Sequence, residues 1–79
     1  MTLLKAPVNK VLIIRSINGM GEILRNLTIQ NIHINDKIIK IKGGFLGPLL
    51  IQRLHDNIKV ALGKGVADKI TVEIFDEVS

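Results

Sequence analysis

Hydrophobic and polar positions alternate in the middle of the chain with the period of a β-strand. In residues 37–42, Ile39 and Ile41 alternate with Lys40 and Lys42. Because successive side chains of a strand point to opposite faces of a sheet, we expect the two isoleucines to face a core and the two lysines to face water. This run therefore predicts a strand with one buried face.

The next two runs extend this strand into a three-stranded meander over residues 36–62. Residues 49–54 are almost wholly apolar, which is typical of a central strand covered on both faces. Residues 57–62 alternate again, with the inward positions Ile58, Val60 and Leu62. The turns between the runs carry residues that favour chain reversal, namely Gly43-Gly44, Gly47-Pro48 and Asp56-Asn57.

The segment before the meander predicts a strand followed by a short helix. Residues 10–17 are apolar and rich in β-branched side chains, which favours a strand. Residues 22–31 lack Gly and Pro, and one helical face would carry Ile23, Leu24 and Leu27. Asn31 is a plausible left-handed terminator, since asparagine is the usual substitute for glycine at that position.

The segment after the meander completes a small, mainly β fold. Residues 66–69 can form about one helical turn, and residues 70–75 predict a last strand whose outward Glu73 could pair with lysines of a neighbouring strand. About five short strands with one helix between the first two predict a closed or partly open barrel. We expect residues 1–9 to be a lead-in and residues 10–76 to form a single domain.

Length and composition limit this domain to an aliphatic core. A chain of 79 residues without cysteine cannot add disulfides or thiolate metal sites to its packing. No segment approaches the ~20 continuous apolar residues of a membrane span, and the first ten residues do not form a secretion signal. We therefore expect a cytoplasmic location.

The net charge of +4 leaves a nucleic-acid partner open. Such a partner would use a basic sheet face formed by Lys37, Lys40, Lys42 and Lys59. Binders of single strands typically add aromatic stacking platforms, whereas this chain has two phenylalanines and no other aromatic residue. A soluble, lysine-covered outer face is the simpler interpretation.

Candidate chemistry in the sequence is sparse. His33 and His55, each near an aspartate at Asp36 or Asp56, are candidate metal ligands, but their spacing matches no known metal motif and turn residues explain the aspartates. The serines and acidic residues form no recognisable catalytic order. We therefore predict a protein that is not an enzyme and that needs no cofactor.

Two apolar residues, Phe45 and Leu46, lie at the tip of the first hairpin between glycines. Either they fold back to close the end of the barrel, which a small core favours, or they present an apolar anchor to a partner. The helix poses the same question, since its apolar residues cannot all face one core stripe: Ile23, Leu24 and Ile29.

The order of these elements and several short motifs resemble the FeoA family, small cytoplasmic SH3-like barrels associated with ferrous iron uptake. The resemblance covers roughly residues 10–74. Asn31-Ile32 and Asn35-Asp36-Lys37-Ile38 stand where the family has Gly-Ile and a Gly-Asp-x-Ile strand entry, and Arg25 lies one place before the family's basic position. The other matching segments are the apolar loop Gly44-Phe45-Leu46-Gly47-Pro48-Leu49, the strand Val60-Ala61-Leu62 and the ending Ala67-Asp68-Lys69-Ile70-Thr71-Val72-Glu73.

The resemblance implies an SH3-like barrel that binds protein, with the cytoplasmic part of a FeoB-type ferrous iron transporter as its partner. The residues that would contact this partner are Phe45, Leu46, Arg25 and Leu24. The same module occurs in metal-dependent repressors, where it makes intramolecular contacts. A nucleic-acid-binding barrel and a metal-binding regulatory domain are the alternatives.

Overall fold

The computed structural model describes residues 1–43 and 46–75. The predicted order of a strand, a helix, three strands, a helical turn and a final strand is confirmed. The elements are β1 (Val11–Ile17), α1 (Gly21–Ile29), β2 (Lys37–Lys42), β3 (Leu49–Arg53), β4 (Lys59–Leu62), α2 (Lys64–Ala67) and β5 (Ile70–Ile74).

All five strands form one antiparallel sheet in the order β4-β3-β2-β1-β5. The predicted meander is confirmed as β2-β3-β4, and the mainly β class is confirmed with it. Within the described residues, β4 and β5 end the sheet and do not pair with each other, so the barrel is not closed. An edge strand without a neighbour matters because it can bind a further strand.

One aliphatic core lies between the inner face of the sheet, α1 and the N-terminal segment. Burying each large aliphatic side chain contributes about 1.5–3 kcal/mol, which is the main stabilising term available to a chain without cysteine. The buried apolar residues are Leu3, Ala6, Leu12, Ile14, Leu27, Ile32, Ile38, Leu49, Ile51, Leu62, Ala67, Ile70 and Val72.

The helix α1 ends as the sequence predicts, with Asn31 in the left-handed region at a φ of 59°. The N–H of Asn31 donates to the carbonyl of Thr28, and the N–H of Ile32 donates to the carbonyl of Leu27, both at 2.9 Å. Leu27 and Ile32 are also both buried. These two bonds form a Schellman motif in which asparagine replaces the usual glycine.

The side chains of β2 that point to the core are not the ones that the sequence predicts. Ile38 and Lys40 point to the core, whereas Ile39 and Ile41 are only half-buried on the outer face of the sheet. The register fixes this phase, because Ile38 lies opposite the buried Arg53 and Lys40 lies opposite the buried Ile51. A shift of one residue reverses every side chain of a strand, and the run of isoleucines fits both phases. The prediction that Lys40 faces water is wrong.

The central strand of the meander is buried on one face only, whereas the sequence predicts burial on both faces. In β3 the buried residues Leu49, Ile51 and Arg53 alternate with the half-buried residues Leu50 and Gln52. This alternation is typical of an antiparallel sheet that packs on one face only. Ile58, predicted to face inward, lies just before β4 and is 51% exposed, and Ile74, the last residue of β5, is 45% exposed.

The N-terminal segment packs onto the sheet through both side chains and backbone. Leu3 and Ala6 are buried in the core, and Thr2 forms a bridge with Thr71. The N–H of Leu3 also donates to the carbonyl of Ile70 at 2.8 Å. The residues predicted to be a lead-in therefore supply part of the core and cover the outer side of β5.

Candidate docking site

The loop between β2 and β3 exposes a large apolar side chain. Leu46 is 93% exposed, whereas Phe45 lies outside the described residues. For Leu46 the alternative of folding back onto the core is therefore wrong. The physical reason lies in the adjoining strand, where the fully buried Leu49 already fills the core position at this end of β3.

A groove of about 450 Å³ lies beside this loop on the outer face of the sheet. Its apolar lining comes from Leu46, Pro48, Leu50 and Ala61, and Lys42 adds the aliphatic stem and charge of a lysine. Leu50 of β3 lies directly opposite Ala61 of β4 in the strand register. The groove therefore joins the loop to the edge strand of the sheet.

The helix α1 presents the other residues that the sequence singled out. Arg25 is exposed and Leu24 is 41% exposed, whereas Ile23 packs against the core. Ile29 is 74% exposed, which answers the question that the helical pattern left open. Leu27 and Ile23 thus form the inner side of the helix, and the remaining apolar residues are available to solvent.

The loop and the end of α1 lie at opposite ends of β3. Nη1 of Arg53, the last residue of β3, donates a hydrogen bond to the carbonyl of Gln30, just beyond α1. The loop precedes Leu49, the first residue of β3. A strand of five residues spans about 17 Å at roughly 3.4 Å per residue. The loop before β3 and the end of α1 therefore belong to separate surfaces of the molecule.

Arg53 is a structural residue that the sequence pattern did not reveal. Its side chain is buried, with Nη2 at 2.7 Å and Nε at 3.2 Å from the carboxylate oxygens of Asp56. The two-point contact fixes the turn between β3 and β4, and the bond to Gln30 ties that turn to the helix. An arginine three residues before an aspartate in a turn is the signal that could have indicated the pair.

Lys40 is buried in the core side of β2 and does not belong to a basic sheet face. Its Nζ donates hydrogen bonds to the carbonyls of Leu4 at 2.9 Å and Ala6 at 2.7 Å. Desolvation by burial lowers the pKa of Lys40. Lys37, Lys42 and Lys59 remain exposed, so the predicted nucleic-acid face loses one of its four lysines.

Each of the two histidines lies near a different aspartate. His33 Nδ1 lies 3.7 Å from Asp36 Oδ2, and His55 Nδ1 lies 3.7 Å from Asp56 Oδ2. In the described part of the chain, no three or more His, Asp or Glu side chains come together in a group that could hold a metal ion. The carboxylates serve the turns instead, since Asp36 accepts a hydrogen bond from the N–H of His33 at 2.8 Å and Asp56 accepts one from Ile58 at 3.1 Å.

The predicted acidic side of the last strand does form an ion pair. Glu73 Oε2 lies 3.0 Å from Nε of Arg15 on the neighbouring strand β1, so the partner is an arginine and not a lysine. Both side chains are about half exposed, with 47% for Arg15 and 62% for Glu73. An exposed pair of this kind contributes little, about 0–1 kcal/mol.

Comparison with protein-family models places this small sheet in a known family. The FeoA domain matches residues 1–74, which is nearly the whole chain. The chain belongs to the FeoA family. Comparison with curated protein sequences gave no significant match.

Solved FeoA structures share the fold of this FeoA-family chain. The iron uptake regulatory protein FeoA superposes with a TM-score of 0.81 at 20% identity, covering 95% of this chain and 96% of that chain. The iron(II) transport protein A from Clostridium thermocellum has a TM-score of 0.82 at 24% identity, covering 94% of this chain and 45% of that chain. FeoA from Stenotrophomonas maltophilia, which was solved with zinc and described as an SH3 domain protein, has a TM-score of 0.75 at 24% identity over 92% of this chain and 89% of that chain. These likenesses confirm the SH3-like fold.

The two asparagines at which the sequence resemblance expects glycines lie in the left-handed region of the backbone. Asn31 has a φ of 59° and Asn35 a φ of 74°, both in the left-handed region. Asparagine tolerates this region better than other residues that carry a Cβ. The departures from the FeoA pattern at these two positions therefore preserve the local fold. No helix in the described part of this FeoA-family chain is long and apolar enough to cross a membrane.

Proposed function

We propose that this chain is an accessory protein of ferrous iron transport that acts by binding protein. Membership of the FeoA family supports the iron-transport role, and the names of its structural neighbours refer to iron uptake and iron(II) transport. The proposed partner is the cytoplasmic part of a FeoB-type transporter, and the proposed location is the cytoplasm. No catalysis is part of this role.

The exposure of Leu46 is the observation that carries the docking proposal. Leu46 is 93% exposed, and contact of an apolar side chain with water is unfavourable. A partner that buries this side chain would therefore gain binding free energy. The groove beside it adds apolar surface for the same partner. Phe45 precedes Leu46 in the chain and is the second proposed anchor.

Leu24 and Arg25 on α1 are the proposed secondary contacts. Leu24 and Arg25 are both exposed, so both can contact a partner without unfolding of the helix. We expect the loop to provide more of the binding free energy, since its apolar surface is the more exposed.

The experiment is calorimetric titration of the purified cytoplasmic domain of a FeoB-type transporter from the same organism. The wild-type protein should bind, and Leu46→Ala should weaken binding by about tenfold. The matched control is Ile58→Ala, which truncates another exposed aliphatic side chain, in the turn between β3 and β4. Equal affinities for the wild type and Leu46→Ala would contradict docking through the loop, and no binding by the wild type would contradict the transporter partner.

A further inference from the structure

The two edge strands of the sheet differ in whether another segment pairs with them. The outer side of β5 is covered by the N-terminal segment, where the N–H of Val72 donates to the carbonyl of Met1 at 2.8 Å and Thr2 pairs with Thr71. The strand β4 forms the other end of the sheet, and within residues 1–43 and 46–75 no strand pairs with its outer side. The edge available for a further strand is therefore β4.

The strand register shows which backbone groups of β4 point away from the sheet. The N–H of Arg53 donates to the carbonyl of Ile58 at 2.9 Å, and Ile51 lies opposite Val60. Because hydrogen-bonding residues alternate along an antiparallel strand, Val60 turns its backbone groups toward β3. The backbone groups of Lys59 and Ala61 then point outward, and both residues are exposed.

The apolar groove adjoins this open edge. Ala61 belongs both to the outward-pointing backbone of β4 and to the lining of the groove, and Leu50 lies opposite it on β3. A strand added beside β4 would place alternate side chains on the outer face of the sheet. An apolar side chain of such a strand would have the groove of about 450 Å³ next to it.

The charge around this edge selects the kind of strand that can bind. Asp56 is the one acidic residue among residues 37–67, and it is already paired with Arg53. Lys42 beside the groove and Lys59 on the edge are both exposed. A second copy of β4 would bring like charges together, which is unfavourable, whereas acidic side chains would meet complementary charge.

We propose that the outer edge of β4 and the adjoining groove bind an extended acidic peptide segment by strand addition. The backbone groups of Lys59 and Ala61 would hydrogen-bond to the peptide, which supplies affinity independent of its sequence. Lys42 and Lys59 would select acidic side chains, and the groove would accept one apolar side chain. Because Leu46 also lines this groove, the proposal concerns a surface that adjoins the docking site, but its test needs no transporter domain.

The first test uses a blocked synthetic peptide of about eight residues, in which Glu alternates with Thr around one central Leu. NMR titration of the ¹⁵N-labelled protein should shift the amides of β4 and of Leu49 and Leu50. Amide exchange of Lys59 and Ala61 should slow in the complex. Shifts confined to other elements, or equal binding of the same peptide with Lys in place of Glu, would overturn the proposal.

Two variants separate strand addition from general attraction. Ala61→Pro removes an outward N–H and not a bond to β3, and it should weaken peptide binding by about tenfold or more. Lys59→Glu should also weaken binding about tenfold, whereas the matched charge reversal Lys10→Glu, at an exposed residue before β1, should leave the affinity unchanged. If Ala61→Pro does not fold, Lys59→Glu and the exchange of the wild-type amides decide the question.

A nucleic acid is the competing ligand for this basic surface. Oligothymidine titrated at low salt should produce no shifts at β4, because the described outer face lacks unpaired aromatic rings and its Phe75 lies under Lys37 at 4.1 Å. Shifts of β4 amides by oligothymidine at lower concentration than by the acidic peptide would overturn the peptide proposal.

Discussion

The two turns at the ends of β3 differ in how they use their side chains. In the turn after β3, Arg53 clamps Asp56 at 2.7 Å, and Asp56 accepts the N–H of Ile58 at 3.1 Å. Asn57 supplies the left-handed residue with a φ of 61°. In the loop before β3, Leu46 contributes an exposed apolar side chain and the outer face opens into a groove.

This difference indicates that the turn after β3 stabilises the fold, whereas the loop before β3 is available for binding. The polar groups of the second turn are used inside the molecule, so changes there should cost folding free energy. The apolar surface of the first loop is not used in the described core, so changes there should cost little stability. Apolar surface that does not serve the fold is the surface that a partner can bury.

Among changes in the two turns, the largest expected effect is the loss of the buried arginine. Arg53→Met removes the contacts to Asp56 and to the carbonyl of Gln30, and it should lower the free energy of unfolding by about 2–4 kcal/mol in urea denaturation. The matched control is Arg15→Met, which removes the exposed pair with Glu73 and should cost at most about 1 kcal/mol. Equal losses for the two variants would show that Arg53 does not hold the turn.

A smaller effect is expected at the left-handed residue of the same turn. Asn57→Ala should destabilise the protein by about 1 kcal/mol, because a residue with an ordinary Cβ is strained at a φ of 61°. Asn57→Gly is the control that relieves this strain, and it should stay within about 0.5 kcal/mol of the wild type. Thermal unfolding of both variants checks the prediction, and an alanine variant as stable as the glycine variant would contradict it.

The turn should also give stability a dependence on acid pH. Partial desolvation acts to raise the pKa of Asp56, but the N–H of Ile58 and the charge of Arg53 outweigh it and hold this pKa below its ordinary value. A carboxylate with a depressed folded-state pKa stabilises the protein above its unfolded-state pKa, and this stabilisation is lost as the pH falls through the folded-state pKa.

Denaturation of Asp56→Asn and the wild type between about pH 5 and pH 2 measures this contribution. The stability of the wild type should fall more steeply than that of the variant as the pH decreases. Parallel curves would show that folding does not lower the pKa of Asp56. The ion pair with Arg53 would then not stabilise the turn.

The smallest effect on stability is expected at the loop. Leu46→Ala should change the free energy of unfolding by less than about 0.5 kcal/mol, because the side chain is 93% exposed. Leu49→Ala, three residues later, is the matched control at a fully buried position and should cost about 2–5 kcal/mol. A large loss of stability in Leu46→Ala would place this side chain in the core and contradict the contrast between the two turns.

The sequence predicted the elements and the meander because their signals are local. Alternation marks the strands, and Asn31 and Asn57 mark reversals within a few residues of the bonds that they make. The apolar loop was also visible in the sequence, although its exposure was not. Exposure depends on whether the core still has room, and that is a property of the whole fold.

The buried cations could not be predicted, since their partners are distant in the chain. Lys40 donates to carbonyls 36 and 34 residues away, and Arg53 donates to a carbonyl 23 residues away. Without those partners, alternation placed Lys40 on the wrong face of β2. The packing of the N-terminal segment was missed for the same reason, because Leu3 becomes part of the core only through its pairing with β5.

The most direct test of docking through the loop is an NMR titration of the ¹⁵N-labelled protein with the cytoplasmic domain of a FeoB-type transporter. We expect the largest amide shifts at Leu46 and Gly47 and smaller shifts on α1, with little change at the turn of residues 53–58. Shifts centred on residues 53–58 while the loop stays unchanged would contradict the account, and so would a titration without any shifts.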